Sequence, residues 1–222
     1  MALSIDIISD VVCPWCYIGK RRIEAALALY RERFPDREAP VVRWWPFQLN
    51  PDMPAEGMDR RAYLDRKFGS SQVGQIYARV AGVGTEVGIP FAFDRIARQV
   101  NTLAAHSLIA LAGEQGRQDA VHEALFRAYF LEGENLAEPE TLVRIATAAG
   151  LDEAAARERL ADASAHQEVR SQEEHARRLG VSGVPFFVFD NALGVSGAQE
   201  AEVLLEAMIK AEAAQVSAAA PA

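Results

Sequence analysis

The chain has two cysteines among its 222 residues, and they stand two positions apart in Cys13-Pro14-Trp15-Cys16. A pair with this spacing can cycle between dithiol and disulfide. An apolar run, Leu3 to Ile8, precedes it, and an amphipathic helical pattern follows. Cys13 therefore falls at a helix N-terminus. Unpaired backbone N–H groups and the positive end of the helix dipole favour its thiolate there, making it the attacking sulfur. Pro14 fits the first helical turn, where its missing N–H costs nothing. Cys16, one turn inside, is placed to attack Cys13 and release a mixed disulfide. Pro14 and Trp15 bring no charge, so the helix terminus and backbone donors must stabilise the thiolate unaided. Trp15 is expected to face solvent and to touch a partner.

The surrounding pattern sets the elements that must position this dithiol. Residues 3–8 read as a buried strand and 14–34 as a helix, with Ile23, Leu27, Tyr30 and Phe34 forming one stripe before Pro35. Residues 41–49 are rich in β-branched and aromatic side chains and read as a second strand, with Pro46 marking an edge or the strand's end. From 58 to 180 the pattern is nearly all helical. Helices are expected at 60–68, 70–87, 101–115, 119–131, 138–149 and 153–179, the last broken near Ser164. Ser70, Asn101 and Asp152 are the expected N-caps, and Gly69, Gly150 and Gly180 the stops. Strands return at 184–190 and 193–196 around a turn at Asn191. Gly197-Ala198-Gln199 opens a last helix to about 213, and 217–222 are expected to be a disordered tail.

The order is strand, helix, strand, helical block, strand, strand, helix. Without the block it is βαβ followed by ββα, the order of a thioredoxin fold. The parallel first pair needs a crossover, and the helix at 14–34 provides one. The expected class is α/β: a thioredoxin-fold domain from 1–57 and 181–216, with an all-helical insertion, 58–180, between its second and third strands. A proline at the start of a buried strand is out of place without a special job. In thioredoxin-like folds a cis-proline precedes the third strand and packs against the cysteine pair. Val184–Pro185 is the candidate here, and a cis X-Pro bond costs only about 0.5–1 kcal/mol. Val184 would keep backbone groups free to pair with an extended substrate.

The stretch Ser9-Asp10-Val11-Val12-Cys13-Pro14-Trp15-Cys16-Tyr17-Ile18-Gly19-Lys20-Arg21 resembles the start of the DsbA-like, FrnE-type dithiol oxidoreductases. Gly183-Val184-Pro185-Phe186-Phe187 resembles their cis-proline segment, and Ser196-Gly197-Ala198-Gln199 the turn before their last helix. Asn101-Thr102-Leu103-Ala104-Ala105-His106 resembles a helix start shared with 2-hydroxychromene-2-carboxylate isomerases and kappa-class glutathione transferases. The resemblance extends to about residue 213. It implies Cys13 as attacking cysteine, Cys16 as resolving cysteine, Pro185 as cis-proline and a helical roof over the site. Some FrnE-type proteins carry a second cysteine pair in a C-terminal extension, which this chain lacks. The isomerases and kappa transferases usually place serine where Cys13 stands, which argues against their chemistry as the main activity.

Other side chains have two readings each. Asp10 either assists proton transfer from Cys16 or caps the loop, with capping favoured. Asp6 alternates with Ile5 and Ile7, so it faces away from them. Asn101 and His106 are candidate substrate contacts, although a hydrogen-bonded helix residue is the plainer reading of His106. Phe47, Phe91 and Phe93 could line an apolar groove with Trp15 and Tyr17. Gly197, Ala198 and Gln199 could offer N–H groups to a carboxylate, as a similar place in the glutathione-using relatives does. Glutathione is thus a possible co-substrate. No metal is expected, because no second Cys/His pair has finger-like spacing. Lys20, Arg21 and Arg22 read as a solvated helix face.

Net charge is −8 and half of the residues are apolar, so nothing favours nucleic acid or an anionic membrane. No secretory leader pattern or membrane-length apolar run is read, so a cytoplasmic location is expected, where two cysteines serve chemistry rather than structure. The reading is a thiol–disulfide oxidoreductase with no cofactor beyond its own cysteine pair. It would act as monomer or homodimer on a disulfide- or thiol-containing protein or small molecule. The alternative is a glutathione-dependent isomerase or transferase acting on a small aromatic or polyketide-like substrate.

Overall fold

The computed structural model describes residues 2–69 and 71–219. Strand β1 (Ser4–Ser9) leads into helix α1 (Pro14–Arg33), which crosses over to strand β2 (Val41–Pro46). A two-residue strand β3 (Met58–Asp59) opens helix α2 (Arg60–Phe68); α3 (Val73–Glu86) and a second short strand, β4 (Arg98–Gln99), follow. The helices α4 (Leu103–Glu114), α5 (Gln118–Arg127), α6 (Pro139–Ala148), α7 (Glu153–Ala161) and α8 (Ala163–Arg178) complete the block. The hairpin β5 (Phe186–Phe189) and β6 (Leu193–Ser196) then leads to α9 (Ala201–Ala219).

The main sheet has the order β2-β1-β5-β6. β1 and β2 are parallel, and β5 runs antiparallel to β1 and β6. This is the thioredoxin fold, with the helical block inserted between β2 and β5. The block is helical apart from the antiparallel pair of β3 and β4, whose two-residue strands are too short to carry a periodic signal. β2 is an edge strand ending at Pro46, where a missing N–H is tolerated. α1 and α9 cover the sheet face of Ile5, Ile7, Phe187 and Phe189, all fully buried. The opposite face packs Ile8, Phe47 and Phe186 against Ala176 and Val181 at the end of α8.

Local chemistry accounts for the boundaries. Asp59 accepts the Ala62 N–H at 2.8 Å, and Gly69 closes α2 with a φ of 76°. Asp152 caps α7 through the Ala155 N–H at 2.8 Å. Asp162, two residues before Ser164, ends α7 and caps α8 through the Ser164 N–H. Asp190 and Asn191 make the tight β5–β6 turn with φ of 50° and 54°. The expected cap Ser70 lies outside the described residues.

Further expectations change. The last helix begins at Ala201, not Gly197, because Gly197 turns at φ 81° and its N–H goes back to the Pro185 carbonyl at 2.9 Å. The same helix continues to Ala219, past the expected end at 213; of the expected tail, residues 220–222 lie outside the described residues. The Lys20–Arg22 run is not a solvated face. Lys20 is 1% exposed and bonds Glu24, with Asp119 at 3.1 Å and Glu123 at 3.5 Å. Arg22 is buried against the Ala198 carbonyl and Glu200, tying α1 to the turn before α9.

Candidate active site

Cys13 is the N-cap of α1, and Pro14 is the first residue of that helix. The Cys13 N–H donates to the Asp10 carbonyl at 3.0 Å, and the Cys16 N–H turns back on the Cys13 carbonyl at 3.0 Å. Both cysteines are free thiols, Cys13 5% and Cys16 1% exposed. Burial pushes the Cys16 thiol well above its ordinary pKa, and the adjacent Cys13 pushes it the same way; the Asp10 backbone and Ser9 hydroxyl act in the opposite direction.

Across from Cys13 lies the start of β5. The Val184–Pro185 peptide bond is cis, and the Cys13 thiol points at the Val184 carbonyl oxygen, 3.6 Å away. Pro185 is held from two sides. The Gly197 N–H takes its carbonyl, and its ring packs on Gly19 of α1 so closely that a Cβ at Gly19 would stand 2.9 Å from the Pro185 Cγ. The only sequence signal for Gly19 is a glycine inside a helix, an unfavourable choice unless another chain must approach there.

Asp10 is fully buried. Its carboxylate accepts the Leu49 N–H at 2.8 Å and lies 3.5 Å from the Val12 N–H and 3.5 Å from His106 Nε2. It therefore caps the β1–α1 loop and ties it to the segment after β2. His106 Nε2 also lies 3.2 Å from the Phe47 carbonyl, which can only accept, so this nitrogen carries the proton. Gln48, between these anchors, gives its N–H to Glu173 at 3.2 Å and its carbonyl to Arg177 at 2.9 Å. Sequence reading missed Glu173 and Arg177; they look like any helical charge pair until the fold brings Gln48 to them.

Several candidates are engaged in structure. The Asn101 side chain donates to the Met53 carbonyl at 2.7 Å and accepts the Leu103 N–H at 2.9 Å. Gln199 donates to the Ser196 carbonyl at 2.8 Å, its own N–H goes to Gly197, and the Ala198 carbonyl is taken by Arg22. Trp15 is half-buried against the core instead of fully exposed. Phe91 and Phe93 stack with ring centres 4.8 Å apart, and Phe91 meets Tyr17 edge-on at 6.1 Å, so they join the block to α1. Asp6 faces away from Ile5 and Ile7 and receives Arg43 and the Trp45 indole, both at 2.7 Å.

A buried dithiol at the head of the first thioredoxin helix, facing a cis-proline, defines a redox-type thioredoxin-fold protein. Residues 4–209 match the model of the DSBA-like thioredoxin domain, and the chain belongs to that family. The probable DsbA oxidoreductase SCO1869 from Streptomyces coelicolor is 37% identical, with 95% of this chain and 90% of that one covered and a TM-score of 0.86. The Bacillus subtilis protein YwbO is 25% identical over 210 residues, 94% of this chain and 96% of its own. The fold also resembles the cytosolic disulfide reductase DsbM from Pseudomonas aeruginosa, solved with GSH, at 18% identity and a TM-score of 0.63, covering 96% of this chain and 98% of that one. No helix among the described residues is long and apolar enough to cross a membrane.

Proposed function

We propose that the protein is a thiol–disulfide oxidoreductase working through Cys13 and Cys16. The observation that carries this reading is the Cys13 thiol set against the Val184 carbonyl beside cis-Pro185, with Cys16 buried behind it. In the reducing direction the Cys13 thiolate attacks one sulfur of a substrate disulfide. A Cys13–substrate disulfide forms, and the other substrate sulfur leaves as a thiolate. Cys16 then gives up its proton and attacks the Cys13 sulfur, so the substrate leaves reduced by two electrons and the pair is left as a disulfide. Run backwards, the same steps oxidise a dithiol. If substrate sulfurs exchange before Cys16 acts, the result is isomerisation. Backbone groups at Val184 are suited to align an extended substrate, as in strand addition.

The high pKa of the Cys16 thiol favours a long-lived mixed disulfide, since a protonated sulfur does not attack. Glutathione enters this scheme as reductant or mixed-disulfide partner, and the presence of only two cysteines, both at the site, suits a reducing compartment.

The test is the redox equilibrium of the pair with glutathione, together with reduction of insulin disulfides by the same preparation. A two-electron couple with insulin turnover is expected, with turnover lost in Cys13→Ala and mixed disulfides trapped in Cys16→Ala. Stable glutathione binding without insulin turnover, unchanged in Cys16→Ala, would replace this reading with a glutathione-dependent isomerase or transferase.

A further inference from the structure

Three lysine or arginine side chains are buried among the described residues: Lys20, Arg22 and Arg60. Lys20 meets three carboxylates and Arg22 meets Glu200. Arg60 meets none. It is the first residue of α2, 7% exposed, and its guanidinium contacts only neutral groups. One terminal nitrogen donates to the Gln99 side-chain oxygen and to the Tyr129 hydroxyl at 2.8 Å; the other donates to the Tyr77 hydroxyl at 2.6 Å. The rings of Tyr77 and Tyr129 lie 5.7 and 5.6 Å from its central carbon. Its Nε–H, also buried, has no acceptor.

A buried cation without a counter-charge is costly, because neutral dipoles and ring faces replace only part of its lost hydration. A guanidinium recognises a carboxylate through paired N–H groups, and Nε–H is one of the donors used in that fork. Arg60 also lines a cavity of about 420 Å³ between α2, α3 and the segment before β4. The other walls include Leu64, Val73, Phe93 and Ile96, which are apolar, and the exposed Arg61. Asp59 and Asp65 stand at the same cavity, with Asp59 occupied in capping α2, and they disfavour a polyanion.

We propose that this cavity binds a monocarboxylate carried on an apolar or aromatic body, with the carboxylate on Arg60 and the body against Phe93 and Ile96. The site is separate from the thiol chemistry and does not depend on it.

The probe is phenylacetate, with the uncharged phenylacetamide as its matched control, titrated into the full chain. On the unaltered protein, phenylacetate should move the ¹⁵N–¹H resonance of Arg60 Nε and bind at least about 10-fold tighter than the amide, as expected for a hydrogen bond between charged groups. Arg60→Gln should erase that preference, whereas Arg66→Gln, at an exposed residue of the same helix outside the cavity wall, should keep it. Cys13→Ala should bind as the unaltered chain does, so loss of thiol activity and failure of this site are read separately. An unmoved Arg60 resonance, equal affinity for acid and amide, or loss of the preference in Arg66→Gln would overturn the proposal. The first two readouts need no variant and stand even if Arg60→Gln does not fold.

Discussion

The Cys13 sulfur and the Val184 carbonyl oxygen, 171 positions apart in the chain, face each other at 3.6 Å. The carbonyl is one of the groups an extended substrate would use, and in the reduced protein the thiol occupies it. Oxidation of the pair removes the S–H and frees the acceptor. The oxidised protein should therefore bind a thiol-blocked insulin B chain about 2- to 5-fold more tightly than the reduced protein, the worth of one weak S–H donation. Cys13→Ala should match the oxidised form. Equal affinities in all three states, measured by calorimetry, would show that substrate does not use this carbonyl.

Gly19 decides how closely α1 approaches Pro185. Alanine would gain about 1 kcal/mol of helix propensity. Its methyl would also stand 2.9 Å from the proline ring and 3.3 Å from Phe187, both well-packed neighbours. Overpacking of this kind costs about 1–3 kcal/mol. Gly19→Ala should thus lower stability in urea by about 1 kcal/mol, and slow insulin reduction by displacing Pro185 from Cys13. A gain in stability with full activity would show that the contact relaxes freely.

The high pKa of the Cys16 thiol has a kinetic and a thermodynamic signature. Cys16 attacks as a thiolate, so release of a mixed disulfide should quicken about 10-fold per pH unit below its pKa. The raised value means that the folded protein holds this proton more tightly than the unfolded chain. The associated stability is complete below the unfolded thiol value, about 8.5, and is lost as pH rises from there toward the folded value, by up to about 1.4 kcal/mol per unit. Urea unfolding of the reduced protein at pH 7.5 to 10 should show that decline, and Cys16→Ala should flatten it.

The cysteine pair, its helix and Pro185 were legible because their signals are local. A CxxC at a helix start and a proline opening an apolar strand need no knowledge of distant partners. The end of α2 was legible for the same reason, since Gly69 marks it chemically, whereas its Asp59 cap emerges only in the structure. Lys20 was misread because two of its three carboxylates, Asp119 and Glu123, sit on α5, a hundred positions away. The Gly197 turn was misread because only the fold shows that its N–H is spent on Pro185. Arg60 looks like an ordinary surface charge at a helix start; three aromatic or amide partners from separate segments bury it.

His122 is the fourth place where the structure commits to an outcome. It is fully buried, stacks on Trp44 with ring centres 4.1 Å apart, and neither ring nitrogen has a hydrogen-bond partner. Burial holds its pKa well below the usual histidine value, and the nearby His106 and Lys20 push it the same way. The folded protein therefore keeps it neutral, while the unfolded chain takes up a proton below about pH 6.5. Stability tied to this residue is present above that pH and lost as pH falls through it. Phenylalanine would keep the stacking and remove both unsatisfied nitrogens. His122→Phe should gain about 1–2 kcal/mol at pH 7 from the removed desolvation penalty. The gain should widen at pH 5, where the wild-type unfolded state is favoured by protonation. Urea midpoints at the two pH values measure both effects. A variant weaker at pH 7, with no widening at pH 5, would mean that the imidazole has a polar role in this core that the packing around Trp44 does not reveal.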